Sequence, residues 1–183
     1  MSFATTAIQS ACTAQTRYRS PLGTMQLART RTGMAGAWFM RQKDHPGELP
    51  APDRPDDPML LRAVRQFERY FAGGTDGFDL PLDLLGTPFQ VAVWQALLGI
   101  PAGSTRSYGE IARAVHAPQA VRAVGAAIGK NPLGVIVPCH RVIGSNGALT
   151  GYAAGLERKT ALLQLEGARI VSKAQAPLFE DAA

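Results

Sequence analysis

A chain of 183 residues, 46% hydrophobic and 18% charged, is long enough for one large domain or two small ones and has the balance of a folded, ordinary soluble protein. Two cysteines, Cys12 and Cys139, exclude a disulfide framework and a paired Cys-x-x-Cys metal site, and no apolar run approaches the roughly 18 residues of a membrane span. The formal charge of +5 is unevenly placed: between Gly86 and Gly155 the sole acidic side chain is Glu110, against Arg106, Arg113, Arg122, Lys130 and Arg141, a bias that fits either a polyanionic partner or a solvated surface.

Residues 1–16 are small and polar without a clear period and read as a flexible tail, with Cys12 an incidental exposed thiol. No basic start followed by an apolar core suggests a secretory signal, and reduced thiols fit a cytoplasmic protein. From Arg17 the pattern changes. Arg17–Ser20, Thr24–Arg29 and Ala35–Met40 are short strand-like segments separated by turn chemistry at Pro21-Leu22-Gly23 and Thr32-Gly33, the outline of an antiparallel meander. Arg41 to Pro58 is an irregular loop. Met59, Leu60, Ala63, Val64, Phe67, Tyr70 and Phe71 then recur at helical spacing, a face suited to packing on the meander, and Gly73-Gly74 ends the helix. Residues 17–86 thus form a small α/β unit with a boundary near Gly86.

The second half, 87–167, opens on a helix start: Thr87 as cap, Pro88 in the first position, Gln90 closing a capping box. Phe89, Val93, Trp94, Leu97 and Leu98 supply its buried side, and Gly99-Ile100-Pro101 stops it. Two short helices follow, Ser107 to Val115 and Gln119 to Gly129, separated by His116-Ala117-Pro118, the outline of a helix-turn-helix. The second is rich in small residues, Ala120, Ala123, Gly125 and Ala126, which permit close approach of a large partner. Val135-Ile136-Val137 reads as a strand ended by Pro138. Asn146-Gly147 marks a turn, Gly155 to Leu165 a last helix closed by Gly167, and residues 168–183 a tail. The class is α+β: a small antiparallel sheet with a helix, then a mostly helical unit with the helix-turn-helix and an active-site loop.

Cys139, His140 and Arg141 carry the chemistry. A free cysteine is most often a small buried hydrophobe, but an inert core position rarely adjoins two polar side chains that ionise. A thiol at the mouth of an ordered element, next to an imidazole and a guanidinium, is a candidate nucleophile with a lowered pKa.

The run Cys139-His140-Arg141-Val142-Ile143-Gly144, preceded by Asn131-Pro132 and followed by Leu149-Thr150-Gly151-Tyr152 and Gly155-Leu156-Glu157-Arg158-Lys159, resembles the active-site core of the O6-alkylguanine-DNA alkyltransferases. Ser107-Tyr108-Gly109-Glu110-Ile111-Ala112 and Arg122-Ala123-Val124-Gly125-Ala126 resemble the two helices of that family's DNA-binding motif. The likeness is dense from Thr87 to Gly167 and holds only in outline before it. It implies direct transfer of an alkyl group from guanine O6, with O4-alkylthymine a further possible substrate, to Cys139, with no cofactor or metal. His140 is implied as the base, directly or through a water, Glu166 as the carboxylate behind it, Asn131 as the residue that orders the loop, and Tyr108 as the hydroxyl that assists departure of the guanine. Double-stranded DNA containing the damaged base is the implied partner of a monomer. The resemblance further implies that the base flips out while Arg122 fills the gap, that Arg122, Arg141, Ser107, Ala123 and Gly125 meet the DNA, and that Tyr152, Val142 and Ala153 line the base pocket. A thioether is a poor leaving group, so each molecule acts once. Ala154 departs from the glycine common in the family and bears on substrate size. The first half lacks the cysteines of a structural zinc site, and His45 and His116 read as surface residues. Three rival classes remain: a non-catalytic binder of alkylated DNA, which Cys139 argues against; a plain helix-turn-helix regulator, which leaves the Cys139 segment unexplained; and a cysteine hydrolase, which a stoichiometric endpoint excludes.

Overall fold

The computed structural model describes residues 3–169. Three strands, β1 (Ala14–Ser20), β2 (Gly23–Arg29) and β3 (Met34–Phe39), form an antiparallel sheet in the order β1-β2-β3. The turn between β1 and β2 is as tight as Pro21-Leu22-Gly23 leads one to expect: Ser20 pairs with Gly23, whose φ of 114° only glycine adopts freely. Helix α2 (Pro58–Phe71) packs on β1 and β2 through Leu60, Ala63, Phe67 and Tyr70. Its cap is Asp57, whose carboxylate accepts from the backbone N–H groups of Met59 and Leu60 and pairs with Arg29 of β2, so the same residue starts the helix and ties it to the sheet.

The other face of the sheet is covered too, which the sequence pattern does not reveal. Residues 3–11 form helix α1 (Phe3–Ala11), not a flexible tail, and β1 begins at Ala14. Ile8 and Cys12 pack with Ala28, Ala35, Trp38, Leu49 and Ala51 in a second apolar cluster behind the sheet. This is why all six residues of β3 are buried: the strand is covered on both faces. Cys12 is accordingly a buried thiol, not an exposed one, and burial, followed by the nearby charge of Asp83, pushes its pKa up to about 11.

Helix α3 (Pro88–Leu98) starts with the complete Thr87–Gln90 capping box. Trp94 fixes it to the helix-turn-helix by donating its indole N–H to the carbonyl of Ala127 at 2.9 Å. The helix-turn-helix comprises α4 (Tyr108–Ala114) and α5 (Val121–Gly129). Just before α4, the two-residue strand β4 (Arg106–Ser107) pairs in parallel with β5 (Val142–Ile143), so the start of the helix-turn-helix and the end of the thiol segment are held together. Helix α6 (Leu156–Leu165) closes the unit, with Glu166 as its C-cap residue and Gly167 following at φ 70°. The tail expected over 168–183 lies, from residue 170 on, outside the described residues.

The expected Val135–Val137 strand is instead a buried turn. Val135 has φ 71°, unusual for a β-branched side chain, and the loop is held by Val137 N–H donating to Leu133 O at 2.8 Å. The apolar run reflects burial in the core between the two halves rather than strand pairing, a distinction that short apolar runs do not make. The edge of β3 takes part: Ala37 N–H donates to Pro132 O and Gly134 N–H to Ala37 O, both at 2.9 Å. The first half of the chain thus grips the loop that precedes the thiol.

Candidate active site

Cys139, His140 and Arg141 form one turn of 3-10 helix after Pro138. With three residues per turn, successive side chains leave the backbone about 120° apart, so neighbours in sequence diverge in space. Cys139 faces a cleft of about 550 Å³ that it shares with Tyr108, Gly125, Ala126, Gly129 and the loop Thr150–Ala153. His140, fully buried, points the other way and meets Glu166, its Nε2 lying 2.8 Å from Oε1. Arg141 binds the same carboxylate through Nε at 2.8 Å and Nη2 at 2.9 Å, and also donates to Ile100 O.

Neither His140 nor Arg141 therefore stabilises a thiolate by direct contact, as their adjacency in sequence suggested. The groups at the sulfur are others. Asn131 Nδ2 lies 3.1 Å from Cys139 Sγ and 2.8 Å from Val137 O, while its Oδ1 accepts from Leu133 N–H at 3.0 Å. Burial pushes the Cys139 pKa up, and the amide of Asn131 and the charge of Lys159 oppose this. Cys139 rests as a thiol and needs a base to become a nucleophile.

Glu166 holds that base in one tautomer. Burial disfavours its charge, but hydrogen bonds from His140, Arg141 and Tyr70 outweigh the penalty and hold its carboxyl down at about 2. Burial lowers the His140 pKa despite the carboxylate beside it, so at neutral pH the imidazole is neutral. An ionised carboxylate only accepts, so Nε2 carries the proton and Nδ1 the lone pair. Nδ1 is buried and has no hydrogen-bond partner among the described residues, as the basic nitrogen of an unengaged pair requires.

Several expected site residues take other positions. Arg141 is committed to Glu166 and Ile100 rather than offered to DNA, because the Glu166 carboxylate at the end of α6 neutralises it. Val142, expected in the base pocket, is wholly buried in the core, where its carbonyl accepts from Lys159 Nζ. The Ser107 hydroxyl is used in the α4 capping box with Glu110. Ala154 is buried beneath the pocket loop and does not face the cleft, so its methyl does not narrow it. Tyr152 and Ala153 do line it, as does Tyr108, whose hydroxyl lies 3.3 Å from Thr150 O. Arg122 and Ala123 are exposed on α5, with Gly125 half-buried on the cleft side, and Arg106, Arg113 and Lys130 are exposed around them. His116 is exposed and His45 half-buried beside Trp38. Among the described residues no cluster of His, Cys, Asp or Glu could hold a metal ion.

Two functional residues escaped the sequence reading. Lys159 is fully buried in α6 and donates from Nζ to Val142 O at 2.6 Å and Thr150 O at 2.7 Å, tying the thiol segment to the pocket loop. Burial lowers its pKa to about 8. The signal was available: Lys159 shares the helix face of Leu162, Leu163 and Glu166, a charge in an apolar stripe. Tyr70 looked like core packing, which it is, but its hydroxyl reaches Glu166 Oε1 at 2.7 Å.

The two halves of the chain match two family models. Residues 14–84 match the ribonuclease-like domain of 6-O-methylguanine DNA methyltransferase, and residues 88–168 match its DNA-binding domain. The chain belongs to the 6-O-methylguanine DNA methyltransferase family. Among curated members of this methyltransferase family, it is 50% identical over 150 residues to a methylated-DNA–protein-cysteine methyltransferase of Mycobacterium tuberculosis, covering 82% of this chain and 90% of the relative. It is 48% identical over 152 residues to the protein of that name from Methanosarcina acetivorans, covering 82% and 96%. Among solved structures it is similar to Mycobacterium tuberculosis OGT in complex with DNA, with a TM-score of 0.76 and 47% identity over 84% of this chain and 92% of that one. A Methanococcus jannaschii O6-methylguanine DNA methyltransferase shares the architecture at a TM-score of 0.52 and 27% identity, over 84% of this chain and 99% of that one. The α+β architecture expected for the family is the one observed. No helix among the described residues is long and apolar enough to cross a membrane.

Proposed function

We infer that this protein repairs alkylated DNA by transferring the alkyl group from guanine O6 to its own Cys139. The observation that carries the reading is the placement of Cys139 at the cleft wall, with Asn131 on its sulfur and the Glu166–His140 pair ending in a lone pair on Nδ1. A cleft of about 550 Å³ beside a helix of small residues has room for one extrahelical base.

His140 Nδ1 takes the thiol proton, directly or through one water, and Glu166 stabilises the imidazolium. The thiolate attacks the alkyl carbon. A C–S bond forms, the C–O6 bond breaks, and the electron pair of that bond stays with the guanine. The guanine then gains the proton the thiol gave up, with the Tyr108 hydroxyl at the cleft placed to assist. The net change is thiol plus alkylguanine to thioether plus guanine, and charge balances. A dialkyl sulfide is not displaced by any group at this site, so each molecule reacts once. The same chemistry admits O4-alkylthymine, whose alkyl–oxygen bond is alike.

Double-stranded DNA is the partner, met by α5 in the minor groove, where Ala123 and Gly125 permit close approach and Arg122 enters the gap left by the base. Residues 87–167 carry the chemistry and residues 17–86 hold the active-site loop. The protein works as a monomer in the cytoplasm, where its two unpaired thiols stay reduced.

Intact-protein and peptide mass spectrometry after mixing with a duplex containing one O6-methylguanine tests the reading. One added methyl on the Cys139 peptide, saturating at one per protein, is expected. Tight binding without a mass change would instead make this a sensor of alkylated DNA.

A further inference from the structure

The acid–base pair of this site is completed from the other half of the chain. Tyr70, near the end of α2, is buried, and its hydroxyl donates to Glu166 Oε1 at 2.7 Å. That same oxygen accepts from His140 Nε2 at 2.8 Å and from Arg141 Nη2 at 2.9 Å. Phe71, ring to ring at 5.3 Å and 79°, and Phe78, at 5.7 Å, pack against the Tyr70 ring and fix its direction. We propose that Tyr70 is a positioning residue for the transfer reaction: its hydroxyl competes with His140 for one oxygen of Glu166 and thereby sets how strongly the carboxylate favours the imidazolium. This rests on the reading of His140 as the base for Cys139.

The charged and titratable groups around His140 are few. Glu166 and Lys159 come from α6, Arg141 and Cys139 from its own turn, and Tyr70, through Glu166, from α2. A donor shared on Oε1 draws negative charge away from His140 Nε2–H. Burial and the Glu166 charge push the phenol far above its ordinary range, so Tyr70 stays a neutral donor at every working pH. Among the described residues its hydroxyl has no other hydrogen-bond partner, and it is the side chain by which α2 reaches the base network. The device lowers the basicity of the resting imidazole in the same direction as burial does, while the bidentate Arg141 helps to keep Glu166 ionised.

The test uses the full chain carrying Tyr70→Phe, which keeps the ring and its aromatic contacts. Single-turnover methyl transfer from an O6-methylguanine duplex is followed from about pH 5 to about pH 9, a range that spans the ordinary histidine pKa. The acid limb of the rate profile is expected to move to higher pH by about half a unit, a roughly threefold change in the protonation equilibrium, with the endpoint still one methyl per protein. An unmoved acid limb, whether the rate is unchanged or uniformly lower, overturns the proposal, since a packing role alone alters amount or rate and not the midpoint. Should Tyr70→Phe fail to fold, 3-fluorotyrosine placed at position 70 replaces it. Its more acidic phenol is a stronger donor, and the acid limb should move to lower pH; no shift or an upward one overturns the proposal. If the wild-type protein itself transfers no methyl to Cys139, the reading of the function fails instead, and the two failures are told apart by that control.

Discussion

Asn131 holds Cys139 from two sides: its Nδ2 lies 3.1 Å from the sulfur and 2.8 Å from the carbonyl of Val137, two residues before it. One amide thus fixes both the nucleophile and the turn that presents it. Asn131→Ala should leave Leu133 N–H and the thiol without their Asn131 partner and remove one of the two donors to Val137 O, which keeps the Cys139 N–H at 2.8 Å. The expected cost is about 1–3 kcal/mol of stability, since buried polar groups lose their bonds. It should also slow transfer by about ten- to a hundredfold if the same energy is lost from the thiolate-forming step. Urea unfolding and single-turnover rates measure the two effects, and a variant with wild-type rate would remove Asn131 from the site.

Lys159 carries its charge into the interior without a carboxylate, held by backbone carbonyls alone. Lys159→Met should remove the ammonium donor from Val142 O and leave Thr150 O with the Tyr108 hydroxyl, loosening the pocket loop. The expected loss of stability is roughly 2–4 kcal/mol, read as a lowered thermal midpoint, together with slower transfer.

The rate profile of transfer should be bell-shaped. His140 acts as neutral base and burial lowers its pKa from 6.5, so the rate should fall only as pH drops below 6.5. Lys159, lowered to about 8, loses the charge that favours the thiolate as pH rises through that value. The alkaline limb should vanish in Lys159→Met while the acid limb stays. Persistence of both limbs in that variant would refute the assignment.

Acid stability should depend on Glu166. Its folded carboxyl sits at about 2 against an ordinary 4.5, so its contribution is full above pH 4.5 and is lost as pH falls towards and through 2. The amount is on the order of 3 kcal/mol by linkage. Glu166→Gln should be less stable at neutral pH and show a flatter stability curve over the acid range, measured by chemical unfolding at a series of pH values.

Arg122 projects from α5 into solvent next to the cleft. Arg122→Ala should slow repair of duplex DNA by about a hundredfold, the equivalent of a few kcal/mol of base unstacking. Reaction with a free O6-alkylguanine base should be unaffected. Equal losses on both substrates would show that Arg122 does not act in flipping.

Much of this protein was set by local sequence. Thr87, Pro88 and Gln90 start α3 because a capping box needs only three neighbouring residues, and Pro21-Leu22-Gly23 makes the first hairpin for the same local reason. The Cys139 segment and the small-residue face of α5 were likewise legible as motifs. The tertiary structure decided what neighbours in space do to each other. It turned Val135–Val137 from a strand into a buried turn, because burial between two units leaves the same apolar pattern as sheet pairing. It made residues 3–11 a helix by offering the back of the sheet to Ile8 and Cys12. It sent Cys139 to the cleft and His140 and Arg141 to Glu166, since a tight turn points adjacent side chains apart. And it brought Tyr70 to Glu166 across 96 positions of chain, a contact that no local pattern encodes because only the packing of α2 against the second half creates it.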